Sequence, residues 1–207
     1  MIRCLLTLLV TSTLISFAVA EEHPVATSAK DVQPLKAGAV LPDVSVTDAA
    51  GKPVKLSSFH ANGPAVIVFF RGSWCPICTR HFQDVMKAHP EIVKTGATVV
   101  AISPDDVAHT KSNVEKLKIP FPLLSDSDLT ATKAFGLAFK VDGDTITKYK
   151  GFGIDLEKAS GRDHHALPVP AVYLVDKSGK ITFAHSNPDY TKRLDVQTIL
   201  VELKKLP

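Results

Sequence analysis

The sequence predicts an α/β domain: a central, mainly parallel sheet with helices packed on its faces. Three observations carry that expectation. Two continuous apolar runs, Ala65 to Phe70 and Ala97 to Ile102, have the length and composition of strands buried on both faces. Each is followed by a segment that reads as a helix, and the order strand, helix, strand, helix places the strands parallel. Of the 207 residues, 45% are apolar and 22% charged, the composition of a chain that buries a core.

The elements follow in chain order. Met1-Ile2-Arg3 is a basic start, Leu5 to Val19 an apolar stretch broken only by Thr and Ser, and Ala18-Val19-Ala20 a small-x-small cleavage pattern. Residues 1–20 therefore read as a signal peptide, which implies a periplasmic or secreted protein. The apolar stretch is shorter than the ~20 residues a spanning helix needs, so no stable membrane anchor is expected after cleavage. Residues 21–36, with Pro24 and Pro34, read as a flexible leader, and 37–207 as one domain.

From Asp43 the apolar positions alternate through Val44 and Val46, turn at Ala50-Gly51 and resume at Val54 and Leu56, which predicts a hairpin. After the first buried strand, Phe82, Val85, Met86 and His89 fall at helical spacing, and Pro90 is expected to end that helix. The second strand leads to a helix capped near Ser103 or Asp105 and running to about Lys118. Pro120 to Asp126 reads as a short strand and Leu129 to Phe135 as a short helix closed by Gly136. Residues 137–168 show no clean period and are expected to form an excursion on the sheet. Ala171 to Val175, a turn at Lys177-Ser178-Gly179 and Ile181 to Ala184 predict a second hairpin, and Leu194 to Leu206 a last helix.

Losing the peptide removes Arg3 and leaves 23 Lys plus Arg against 21 Asp plus Glu, a net charge of +2. With no basic run interleaved with aromatics, no nucleic-acid partner is expected. Cys4 departs with the peptide, so two of three cysteines remain, Cys75 and Cys78. A disulfide between them closes so small a ring that chain entropy yields only about 2 kcal/mol. A pair that staples so little, in a compartment that permits oxidation, suits reversible redox chemistry. Its place, where a central strand turns into a helix, puts the sulfurs where free N–H groups and the helix dipole favour a thiolate. Pro76 fits the first helical turn.

Other uses of the pair are weaker. Zinc needs two further soft ligands and there is no second Cys pair, although His81 makes Cys-x2-Cys-x2-His conceivable. Haem attachment needs His at position 79, which is Thr79. Copper delivery would need a distant His.

The run Phe69-Phe70-Arg71-Gly72-Ser73-Trp74-Cys75-Pro76-Ile77-Cys78 resembles the active-site segment of bacterial peroxiredoxin-like proteins of the AhpC/TSA (alkyl hydroperoxide reductase and thiol-specific antioxidant) family. The likeness continues through Gly96 to Ser103, Pro120 to Asp126, Phe135-Gly136-Leu137 and Leu167 to Ala171. It implies a thioredoxin-like fold, a central mixed sheet flanked by helices with an N-terminal hairpin extension. It also implies a thiol-dependent peroxidase without cofactor or metal, with a peroxide substrate and a thioredoxin-like or other dithiol reductant.

An ungapped match puts the family's Thr at Cys75 and its peroxide-attacking Cys at Cys78. Cys78 would then become a sulfenic acid that Cys75 condenses with. Trp74-Cys75 instead resembles thioredoxins, whose first Cys attacks disulfides, so a cell-envelope thiol-disulfide oxidoreductase using Cys75 is the alternative, and which sulfur reacts first stays open. A metal- or partner-binding module on the same fold is a third class. Two departures bear on the peroxidase reading: Arg71 replaces the family's Pro, and Pro170 replaces its Arg before a late strand, Val169-Pro170 resembling a thioredoxin cis-Pro loop. Arg71 either supplies the missing positive charge or faces solvent. Trp74 is expected to shield the sulfurs, and His164, His165 and His185 reach them only if the excursion folds over the site.

Overall fold

The computed structural model describes residues 23–206; the expected signal peptide lies outside these residues. In chain order the elements are β1 (Ser45–Asp48), β2 (Pro53–Lys55), β3 (Ala65–Phe69), α1 (Pro76–Lys94), β4 (Thr98–Ser103), α2 (Val107–Leu117) and β5 (Leu123–Ser125). Then come α3 (Thr130–Ala134), β6 (Ala138–Lys140), α4 (Gly143–Gly151), α5 (Leu156–Ser160), β7 (Ala166–Pro168), β8 (Ala171–Val175), β9 (Ile181–Ser186) and α6 (Val196–Leu203).

Seven strands form a sheet in the order β2-β1-β5-β4-β3-β8-β9. β3, β4 and β5 run parallel, because helices connect them, while β8 joins β3 and β1 joins β5 antiparallel. The sheet is thus mixed and not mainly parallel: the two hairpins and their junctions with the parallel core make both flanks antiparallel. Alternation along β3 divides the core. Val66, Val68 and Phe70 face the side that holds α1 and α6, and Ala65, Ile67 and Phe69 face the other.

On that second face Phe135 is fully buried against Phe69 and Tyr173, with ring centroids 4.8 and 4.9 Å away. Truncation to Phe135→Ala leaves a void that nothing nearby fills, and is expected to cost about 3–5 kcal/mol, read as a lower denaturation midpoint at unchanged slope.

Three expectations are corrected: where α1 ends, what caps α2, and the flexibility of the leader. Pro90 does not end α1, which runs on to Lys94, since Ile92 is pulled into the core and its burial offsets the hydrogen bond Pro90 cannot make. α2 is capped by Asp106, whose carboxylate accepts the His109 N–H at 2.7 Å, and not by Ser103 or Asp105, which turn inward. The excursion 137–168 is ordered as β6, α4, α5 and β7, with β6 and β7 paired antiparallel.

The leader, in its described part, is docked. Ala26 exchanges hydrogen bonds with Ala138 and Lys140 at 2.9 Å each, Leu35 N–H donates to Phe135, and Val32 and Leu35 pack on the core. At Gly136, with φ +65°, a side chain would collide with the Gln33 carbonyl, so this crossing requires glycine. Among the described residues no helix is long and apolar enough to cross a membrane.

Candidate active site

β3 delivers the chain, through buried Phe70 and Arg71, into a loop that ends at Cys75, the N-cap of α1. Cys75 has extended backbone and its sulfur accepts the Cys78 N–H at 3.3 Å, the contact an N-cap oxygen would usually make. Pro76 follows where its missing donor leaves nothing unpaired.

Asp105, at the end of β4, holds the loop in shape. It accepts the Ser73 N–H at 2.6 Å and the Ser103 hydroxyl at 3.1 Å, and is itself buried. Burial pushes its carboxyl up to about 6. At Gly72, with φ +145°, a Cβ would strike the Trp74 indole nitrogen, so glycine lets the indole fold back.

Cys75 and Cys78 are free thiols, 2% and 1% exposed. The Cys78 thiol and then the Cys78 N–H donate to the Cys75 sulfur, Arg71 and Arg193 add positive charge, and together they lower the Cys75 thiol to about 6 although burial opposes them. Burial raises the Cys78 thiol, and the sulfur of Cys75 raises it further. In this coupled pair the influences favour the thiolate on Cys75 and the proton on Cys78.

Arg71 is 4% exposed and makes no ion pair among the described residues. It lies between aromatic rings, its Cζ at 3.9 Å from the Tyr190 centroid, 5.1 Å from Trp74 and 5.4 Å from Tyr149, and it donates to the Tyr149 hydroxyl. It is therefore a buried cation beside a sulfur and does not face solvent. Trp74 covers the same side, with its ring 5.5 Å from that of Tyr149.

The group that sequence reasoning missed is Arg193, just before α6. Its Nη2 donates to the Cys78 sulfur at 3.2 Å, supplying a guanidinium where Pro170 leaves none. Its signal, a basic Lys192-Arg193 step, is too common to single out. Pro170 lines a small pocket with His81, His185 and Arg193, and the Val169–Pro170 peptide is trans, contrary to the cis-Pro likeness, carrying the chain directly from β7 into β8. The Nε2 atoms of His81 and His185 are buried without partners. Burial, reinforced by the Arg193 charge, lowers His81 to about 4, so its ring is neutral.

The His164 ring contacts the Ser127 carbonyl at 3.0 Å and His165 pairs with Glu157 at 2.6 Å, so neither contacts a sulfur. Among the described residues no three His, Cys, Asp or Glu side chains are placed to hold a metal ion.

The profile of the AhpC/TSA family matches residues 37–184, which is most of the chain. The chain belongs to the AhpC/TSA family. Among its relatives are chloroplastic peroxiredoxin Q of Triticum aestivum, 30% identical over 150 residues that are 72% of this chain and 58% of that one, and peroxiredoxin Q of Arabidopsis thaliana, 31% identical over 72% and 59%. The chain thus spans about three-fifths of the length of these curated relatives. Peroxidoxin BcpB from Mycobacterium tuberculosis has the same fold, with TM-score 0.65 at 22% identity over 84% of this chain and 99% of that one. So does Xanthomonas campestris peroxiredoxin Q, with TM-score 0.62 at 21% identity over 84% and 98%.

In this AhpC/TSA protein the positive charge at the sulfurs comes from Arg71 and Arg193. Replacing Arg71 by Met keeps an apolar stem among the rings and removes the charge. The expected result is a Cys75 alkylation midpoint shifted up by about one pH unit, read by peptide mass spectrometry of iodoacetamide-treated protein across pH; an unmoved midpoint excludes Arg71 as a counter-ion.

Proposed function

We propose that the protein is a thiol-dependent peroxidase of the cell envelope, in which the Cys75 thiolate attacks the terminal oxygen of a hydroperoxide. The O–O bond breaks, water or an alcohol leaves, and Cys75 becomes a sulfenic acid. The Cys78 thiol, already in contact, attacks that sulfur, expels water and closes the Cys75–Cys78 disulfide. An external thiol donor returns two electrons.

The observation that carries this reading is two buried free cysteines at the start of α1, the Cys75 sulfur accepting the Cys78 N–H at 3.3 Å and Arg193 donating to Cys78, a setting that favours the Cys75 thiolate. Sulfurs 1–2% exposed admit a molecule the size of hydrogen peroxide far more readily than the disulfide of a folded protein. The order reverses the one that the ungapped family match implies. The names of the relatives support the peroxidase chemistry, and residues 1–20 support export.

Stopped-flow mixing of reduced protein with hydrogen peroxide tests the activity. Consumption at least about a hundredfold faster than by free cysteine is expected, the gain that fixed donors around a reacting group supply; a rate equal to that of free thiol removes the reading.

Disulfide exchange through Cys75 is the second reading, favoured by Trp74-Cys75 and the low thiol pKa. It requires a Cys78→Ser variant to accumulate mixed disulfides with protein partners, which the peroxidase reading does not.

A further inference from the structure

On the side of the site away from Trp74, α1 and the segment leading into α6 enclose a groove of about 820 Å³. Ile77, Arg80, His81, Arg193 and Leu200 are among its lining residues. That volume suits a small molecule and not a folded protein. Arg193 lines the groove and donates to the Cys78 sulfur, so it joins the two, although neither cysteine is itself a lining residue.

Arg80, Lys87 and Arg193 line it together with Asp84, Glu91 and Asp195, and these charges are unevenly paired. Asp84 pairs with Lys87 at 3.8 Å, Glu91 with Lys94 at 2.6 Å, and Asp195 caps α6 by accepting the Gln197 N–H at 3.0 Å. Arg80 and Arg193 make no ion pair among the described residues. Arg193 Nε and His81 Nε2 are buried without hydrogen-bond partners, and His81 is only 6% exposed. Buried Arg193 Nε and His81 Nε2 without acceptors, beside an Arg80 without an ion-pair partner, call for a ligand carrying acceptor oxygens.

We propose that this groove binds an anionic, low-molecular-weight thiol, a carboxylate-bearing one, and that this thiol reduces the Cys75–Cys78 disulfide by attacking Cys78. Arg80 and Arg193 take the carboxylate. The incoming thiolate forms a bond to Cys78 Sγ, the bond to Cys75 breaks, and its electron pair departs on Cys75. The charges of Arg71 and Arg193 favour the Cys75 thiolate that leaves. A second thiolate attacks the small-thiol sulfur of the mixed disulfide and releases Cys78, which takes up a proton. Two thiols surrender two electrons and become one small disulfide, and the protein regains both thiols.

This rests on the redox cycling of the pair proposed above. Its test therefore starts from full-length protein oxidised with diamide, not peroxide, and peroxide consumption is measured separately on the same preparation. Reduction is followed by the fluorescence of Trp74, the single Trp, with 3-mercaptopropionate and with uncharged 2-mercaptoethanol, rates being compared per thiolate. The anionic thiol is expected to be about tenfold faster, with saturation and a loss of the advantage in high salt. Arg80→Glu, at an exposed position, is expected to bring the ratio of the two rates to one or below. In acid-quenched samples the mixed disulfide is expected on Cys78.

Equal rates for the two thiols, an adduct on Cys75, or reduction by a thioredoxin-type protein while both small thiols fail overturns the proposal. A normal thiol preference without peroxide turnover removes the peroxidase reading alone.

Discussion

Replacing Cys75 by Ser is expected to lower the rate of peroxide consumption by about a thousandfold or more, as loss of an activated nucleophile does. The fold is not what fails, because serine is a good N-cap and accepts the position 78 N–H as the sulfur did. What fails is the thiolate. Cys78 alone is buried, which raises its pKa, and although Arg193 opposes that effect, burial is the larger influence. Cys78→Ser has a different outcome: the first reaction with peroxide proceeds, no intramolecular disulfide follows, and sulfenic acid accumulates after one turnover. Single-turnover kinetics with thiol counting separate the two variants.

The second large effect is on pH. With Cys75 at about 6, the rate is expected to be nearly flat above neutrality and to fall tenfold per unit below 6. Between pH 7 and pH 4 this amounts to about a hundredfold. Unfolding does not produce this loss. Asp105 and Asp126 have carboxyls raised from 3.8 to about 6 by burial, so the stability they contribute is complete below 3.8 and lost as pH rises through 6; acidification strengthens it. His81, lowered from 6.5 to about 4, contributes stability that is present above 6.5 and lost as pH falls through 4. Cys75 contributes stability present above 9.0 and lost as pH falls through about 6. Because these effects oppose one another, the fold is expected to persist near pH 5, with the reduced activity returning on neutralisation and the far-UV circular dichroism spectrum unchanged.

What the sequence made legible follows from where its signals are local. Ala65 to Phe69 and Thr98 to Ser103 are buried throughout, so a continuous apolar run suffices to read them. Cys75 and Cys78 lie three residues apart on a strand-to-helix junction, and no distant contact is needed to see that they share a site. Arg193 is different: it is separated from Cys78 by 115 positions, and only the packing of α6 against α1 brings it there. Asp105 resembles a helix cap until Asp106 takes that role and Asp105 turns toward Ser73. The short helix α4 buries none of its residues, so it shows no apolar period, yet Tyr149 reaches from it to Arg71. The apolar leader residues that pack on the core, Ala29, Val32 and Leu35, sustain no helical or strand period, and the Ala26 and Leu35 backbone bonds leave no trace in side-chain pattern.

With the thiolate favoured on Cys75 and the proton on Cys78, the first sulfur to meet peroxide is that of Cys75. Treating reduced wild-type protein with less than one equivalent of hydrogen peroxide in the presence of dimedone, then mapping the adduct by peptide mass spectrometry, tests it directly. Dimedone is expected on Cys75 with Cys78 a free thiol in the same molecules, and a Cys75–Cys78 disulfide in the remainder of the oxidised protein. Dimedone on Cys78, with Cys75 still a thiol, contradicts it.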